Sequence, residues 1–155
     1  NDNIRPFIYE LANYEWLELH LDKHLSETTF EPNLTTQELL DSVPVINTVS
    51  SLNAYHFPVH QITQSNQPTA PLDQPLFLLL WRNSSQQVKF TELNPFSALL
   101  WESLKNNNNK SGTQLLSELS TQHHAQDKQQ FITFGAQTLN QWHQQDIISS
   151  TRTPQ

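Results

Sequence analysis

The chain has no cysteine and no methionine, only two glycines (Gly112 and Gly135), and only eight Lys plus Arg in 155 residues. Without cysteine there are no disulfides and no thiolate metal sites, and the cytosol is the default compartment. Two widely separated glycines exclude a phosphate-binding loop, a dinucleotide fingerprint and a GxSxG nucleophile turn. The shortage of basic residues leaves a formal charge of -7, the opposite of the basic face with which nucleic-acid binders neutralise phosphate. An acidic surface repels DNA and anionic membranes, and suits a basic or neutral protein partner. No run approaches the ~20 apolar residues of a membrane-spanning helix. The opening NDNIRPF is unlike a signal peptide. Because it also lacks an initiator Met, the chain reads as a fragment or mature piece of a longer protein.

What is present is modest but sufficient for a core. Apolar residues make up 35% of the chain, below the usual figure of about 45–50%, yet four Trp, eight Phe and many Leu recur in clusters. Pro6 suits a helix first turn, and Phe7, Ile8, Leu11, Tyr14, Leu17, Leu21 and Leu25 keep helical spacing, which predicts a helix over residues 7–24. Trp16 and Leu19 lie off that stripe and point to a second buried face. The pattern weakens over 26–52, where Pro32 and Pro44 interrupt it; this segment reads as a connector with one or two helical turns near 35–42. A strand is expected over 53–63, confined to an edge or bulge by Pro58. Residues 76–82, LFLLLWR, form a near-continuous apolar run and hence a central strand, followed by a polar turn and an alternating return strand over 88–93. Asn94 caps the next helix and Pro95 starts it, with Phe96, Leu99, Leu100 and Leu104 inward. The Asn run 106–109 is a loose loop. A second helix begins at Gly112-Thr113, with Leu115, Leu116 and Leu119 inward. A third spans about 127–145, with Phe131, Phe134, Leu139 and Trp142 buried. The tail is expected to fray.

The expected architecture is α+β: an N-terminal helix and connector (1–52), a small antiparallel sheet with three helices in a winged-helix-like outline (53–150), and a frayed tail (151–155).

Nothing in this outline reads as a catalyst, and no metal or cofactor is expected. His20 and His24 stand four apart on a helix, the spacing at which two imidazoles share a metal, but no third ligand is set by spacing. His56 and His60, and His123 and His124, lack any metal-site context, so structural roles are favoured. The carboxylates Glu10, Glu15, Glu18 and Asp22 lie on one helix with no opposing wall to form a cleft. Residues 113–122 contain no Lys or Arg and the final helix only Lys128, so a helix-turn-helix reader has nothing to hold phosphates. A sheet edge can instead accept an extended peptide as an added strand. The candidate cradle is Val88, Lys89 and Phe90 on the return strand, beside Gln130, Gln137 and Gln141 on the last helix. Phe90 is either core or groove. Trp16, Arg82 and Trp101 are candidate partner contacts; Trp101 is alternatively core, and Arg82 alternatively pairs with Glu92 across the hairpin.

PFIYELANYEWLELHL (6–21), AYHFPVHQI (54–62), LFLLLWRN followed by VKFTELNPFSALLWESL, and FGAQTLNQWHQQDII (134–148) together resemble a bacterial family labelled DNA-binding domain proteins. Members carry a further N-terminal helical domain, the part so labelled. The same family includes HvfC-type partner proteins of TIM-barrel, multinuclear-iron oxidases that modify cysteines in ribosomally made precursor peptides. Their C-terminal portion is similar to the PqqD-like recognition element, a winged-helix derivative that grips a leader peptide by strand addition. VKFTELNPFSALLWESL looks like its strand-then-helix signature. The resemblance implies a non-catalytic recognition or scaffold subunit whose partners are the oxidase, the Cys-containing precursor peptide, or both. The alternative it implies is a transcription regulator that contacts DNA only through the missing N-terminal domain, with this chain as effector or dimerisation part. A third reading, a metalloenzyme built on His20 and His24, predicts stoichiometric metal in the purified protein.

Overall fold

A computed structural model of the chain describes residues 5–155. Residues 1–4, part of the opening read above as unlike a signal peptide, lie outside it. In chain order the elements are α1 (Ile8–Asp22), α2 (Thr36–Asp41), β1 (Val43–Ile46), β2 (Ser50–Tyr55), a 3-10 turn (Val59–Gln61), β3 (Leu76–Arg82), β4 (Val88–Leu93), α3 (Pro95–Lys105), α4 (Gly112–Gln122), α5 (Lys128–Gln144) and β5 (Ile148–Arg152). The α+β class is as expected, with antiparallel sheets of two and three strands. The chain does not divide at residue 52. Among the described residues two compact units each take two segments: residues 5–25 with 49–98, and 26–48 with 99–155.

In the first unit β3 is the central strand of the order β2-β3-β4. Its apolar run is explained by burial on both faces. Leu78 and Leu80 join a core with Phe7, Tyr14, Leu17 and Leu21 of the α1 segment, while Leu79 and Trp81 are buried on the opposite face. The hairpin to β4 is closed by Asn83, whose Oδ1 accepts from the backbone N–H of Ser85 (3.0 Å) and Gln87 (2.9 Å), with Gln86 at φ 61°. β2 ends at Tyr55, earlier than the strand read over 53–63. Pro58 has no N–H to give a ladder, and the chain turns through Val59–Gln61 instead. Glu10 of α1 fixes that bend: its carboxylate accepts from the backbone N–H of His56 (2.7 Å) and Phe57 (2.9 Å).

The face of α1 carrying Trp16 and Leu19 is exposed rather than buried (Trp16 58%), and Trp16 stacks on His20 with ring centroids 4.8 Å apart. Arg82 does not pair with Glu92. The register sets Arg82 opposite Val88 and Glu92 opposite Leu78. The Arg82 guanidinium instead donates to the carbonyls of Leu21 (3.2 Å), Asp22 (3.3 Å) and His24 (2.7 Å), at and just beyond the end of α1.

Tyr55 donates its hydroxyl to Asn13 Oδ1 (2.8 Å). Burial, reinforced by the Glu10 charge, pushes its phenol up to about 12. Burial first, and then the hydrogen bond and charge of Glu18, raise Tyr14 as well. A folded-state value above the unfolded value of about 10 means that the native state keeps protons the unfolded chain releases. The stabilisation is therefore complete below about pH 10 and is lost as pH rises towards 12. Urea titrations across this range should show stability falling steeply in wild type and less steeply in Tyr55→Phe; parallel curves would contradict this account.

In the second unit the segment read as a connector is ordered. α2 is capped by Thr35, which accepts from Glu38 N–H (3.1 Å). β1 pairs antiparallel with β5, Val43 opposite Arg152, so the tail expected to fray is a strand as far as Arg152. Each strand of a two-stranded ribbon is an edge, which is why Pro44 is tolerated. Glu31 ties the segment down: its N–H donates to Ser149 O (2.8 Å), its carboxylate accepts from Thr151 N–H (3.0 Å), and its carbonyl accepts from His143 Nε2 (2.7 Å). α4 opens with a Ser111/Gln114 capping box, and α5 with Asp127 accepting from Gln130 N–H. Leu139 and Trp142 of α5 are buried as read from sequence, but Phe134 is 61% exposed. The inward face is set by Gly135, where an added Cβ would lie 2.4 Å from the Leu116 side chain, so α4 packs where α5 has almost no side chain.

Candidate functional site: the β4 edge

β4 is a terminal strand of its sheet, and among the described residues no strand pairs with its outer side. Unpaired backbone groups along such an edge are a template for another chain. Alternation in the sequence VKFTEL gives the strand two distinct faces. Opposite residues in an antiparallel pair share a face, so Val88, Phe90 and Glu92 lie on the α1 side with Arg82, Leu80 and Leu78, while Lys89 and Thr91 lie on the other side. Val88 packs against the first unit's core. Lys89 is exposed. Phe90 is 50% exposed, neither wholly core nor wholly free.

The neighbour of Phe90 is His60, edge-on with ring centroids 5.7 Å apart. His60 Nε2 lies 2.7 Å from Glu92 Oε1. The second histidine of this segment, His56, places Nδ1 3.0 Å from Glu10 Oε2. His56 and His60 therefore do not face one another along a strand; they stand either side of Pro58, each against a carboxylate. Sequence reading missed both pairs because the partners are 46 and 32 residues away and carry no local signature.

Gln130, Gln137 and Gln141 are exposed along one side of α5, in the other compact unit from Val88, Lys89 and Phe90. Of the partner-contact candidates, Trp16 is solvent-facing, Arg82 holds the end of α1, and Trp101 is fully buried. Trp101 is thus a core residue and not a surface anchor. On α3 the buried face is Ala98, Leu100, Trp101 and Leu104, while Phe96 and Leu99 are half-buried; the Asn94 cap is as expected, accepting from Ser97 N–H (2.8 Å).

His20 and His24 belong to an aromatic stack with Trp16, their ring centroids 5.7 Å apart. Among the described residues no group of three or more His, Asp or Glu is placed to hold a metal ion. None of their helices is long and apolar enough to cross a membrane. The Asn loop is folded by its own amides. Asn107 brackets the backbone of Lys110 (2.8 and 3.1 Å), and Asn109 that of Gln155 (2.8 and 2.7 Å).

A family model described as the HvfC C-terminal domain matches residues 47–143, more than half of the chain. The match begins just before β2 and runs through β4 and α3 to the last turn of α5. Comparison with curated proteins finds no match.

Proposed function

The chain belongs to the HvfC C-terminal domain family, and from that premise we propose that it is a non-catalytic recognition and scaffold subunit that holds a ribosomally made, Cys-containing precursor peptide for a multinuclear-iron TIM-barrel oxidase. Family membership carries this reading, since it points to a partner-type protein. The open edge of β4 supports the peptide half of it. In this reading the β3–β4 hairpin and α3 correspond to the strand-then-helix part of a PqqD-like, winged-helix-derived element. The peptide lies along β4, main-chain hydrogen bonds give the affinity, and Phe90 and Lys89 meet its side chains on the two faces. The net charge of -7 fits a polypeptide ligand better than a polyanion.

Calorimetric titration with the precursor peptide and with the oxidase tests the proposal. Saturable binding to at least one is expected. Phe90→Ala should cost about 1 kcal/mol of stability or less, because half the ring already faces water. The same substitution should weaken peptide binding about tenfold, as removal of one aromatic anchor does. No binding to either ligand, together with tight and salt-sensitive duplex binding, would replace this reading with that of a DNA-linked regulator.

A further inference from the structure

A strand added to β4 presents alternate side chains to the two faces of β4, and the chemistry on those faces differs. On the α1 side the exposed positions are Phe90 and Glu92; on the other side the exposed position is Lys89. The Glu92 side chain is 53% exposed, while the His60 side chain, against which it rests, is 7% exposed. His60 Nδ1 is buried and has no hydrogen-bond partner among the described residues, so a proton there would be unsatisfied. The ring proton therefore belongs on Nε2, which donates to Glu92 Oε1 at 2.7 Å. The carboxylate is held in one orientation by a donor from below. The carboxylate keeps a second oxygen able to accept, and more than half of the side chain is open to solvent. The Phe90 ring lies alongside, edge-on to the same imidazole.

We infer that Glu92 determines specificity: it selects a Lys or Arg side chain on an extended peptide added to β4, and the methylene stem of that side chain lies across Phe90. The inference rests on the strand-addition reading proposed above and names the class of peptide it accepts. The aliphatic stem suits an apolar ring and the charged head suits the carboxylate beyond it. Because His60 already fixes Glu92, ordering only one long side chain is required, which removes part of the entropic penalty that weakens exposed ion pairs. Lys89 adds register control. A slip of one residue turns the peptide's basic side chain to the other face, where it meets a like charge.

The test is a cellulose-bound array of random octapeptides with one position fixed as Lys, Arg, Glu or Gln, probed with the whole chain and its variants. Wild type should bind the Lys and Arg pools about fivefold better than the Gln pool, the upper range of a cross-strand charge pair. Glu92→Gln should lose that preference and Glu92→Lys should move it to the Glu pool. Glu27→Gln removes the same charge from an exposed site elsewhere and should keep the preference. His60→Leu should reduce it and His60→Gln, which retains a donor, should restore it; thermal melts establish that each variant is folded. A basic preference that survives in Glu92→Gln, or binding with no basic preference at all, overturns the inference while strand addition stands. Failure of every pool to bind overturns strand addition itself, and the inference with it.

Discussion

Trp101→Ala is expected to lower stability by about 3–5 kcal/mol, the range for a large aromatic side chain removed from a packed interior. Trp101 is 0% exposed on a helix whose flanking Leu100 and Leu104 are also buried. Its sequence context, ALLWES, is equally compatible with a residue kept for a partner, and burial decides the matter. Lys105 Nζ stands 5.2 Å from the ring centroid and adds a cation–π contact. One detail separates the ring's volume from its polarity. The indole Nε1 is buried without a hydrogen-bond partner among the described residues, and an unmade buried donor costs about 1–3 kcal/mol. Trp101→Phe removes that donor while keeping most of the apolar contact, so it should be far milder than alanine. Urea denaturation followed by circular dichroism measures both. A loss below about 1 kcal/mol for alanine would mean that the side chain is not core.

Gly112→Ala should be about as damaging as a substitution of one methyl group can be. Gly112 opens α4, where its N–H donates to Ser42 O (3.0 Å), and a Cβ at this position would sit 2.4 Å from the backbone oxygen of Leu39. Backbone cannot rotate aside as a side chain can, so either the hydrogen bond to Ser42 or the packing of α2 on α4 must give way. About 3 kcal/mol is expected, the upper end of ordinary overpacking. Thermal denaturation checks it, with Thr113→Ala as the neighbour that should change little: Thr113 is exposed. Equal melting temperatures for Gly112→Ala and wild type would show that α2 and α4 do not meet as described.

The parts of the fold written in local pattern were legible. The apolar run of β3, the alternation of β4, the Asn94-Pro95 start of α3 and the helical spacing of α1 each state their own structure. The β1–β5 ribbon was not legible. VPVI carries a proline and ISSTR is mostly polar, and each becomes a strand only by meeting the other from the far end of the chain. α5 misled in a different way. Large residues such as Phe134 looked inward, yet Gly135 meets Leu116, with Ala136 buried next to it, because a close helix approach requires little side chain and leaves the neighbouring aromatic outside. At the candidate site the sequence offers β4 as a cradle but leaves Phe90 undecided between core and groove. The His60–Glu92 pair needed the bend at Pro58, which moves His60 out of line with β2 and against β4.

Backbone amide hydrogen exchange across β4, measured with and without saturating precursor peptide, tests the peptide-holding role most directly. If a peptide adds as a strand, amides of Val88–Leu93 that face outward from β3 become protected, while those on β2, the opposite edge of the same sheet, keep their rates. Protection elsewhere with β4 unchanged would contradict the account.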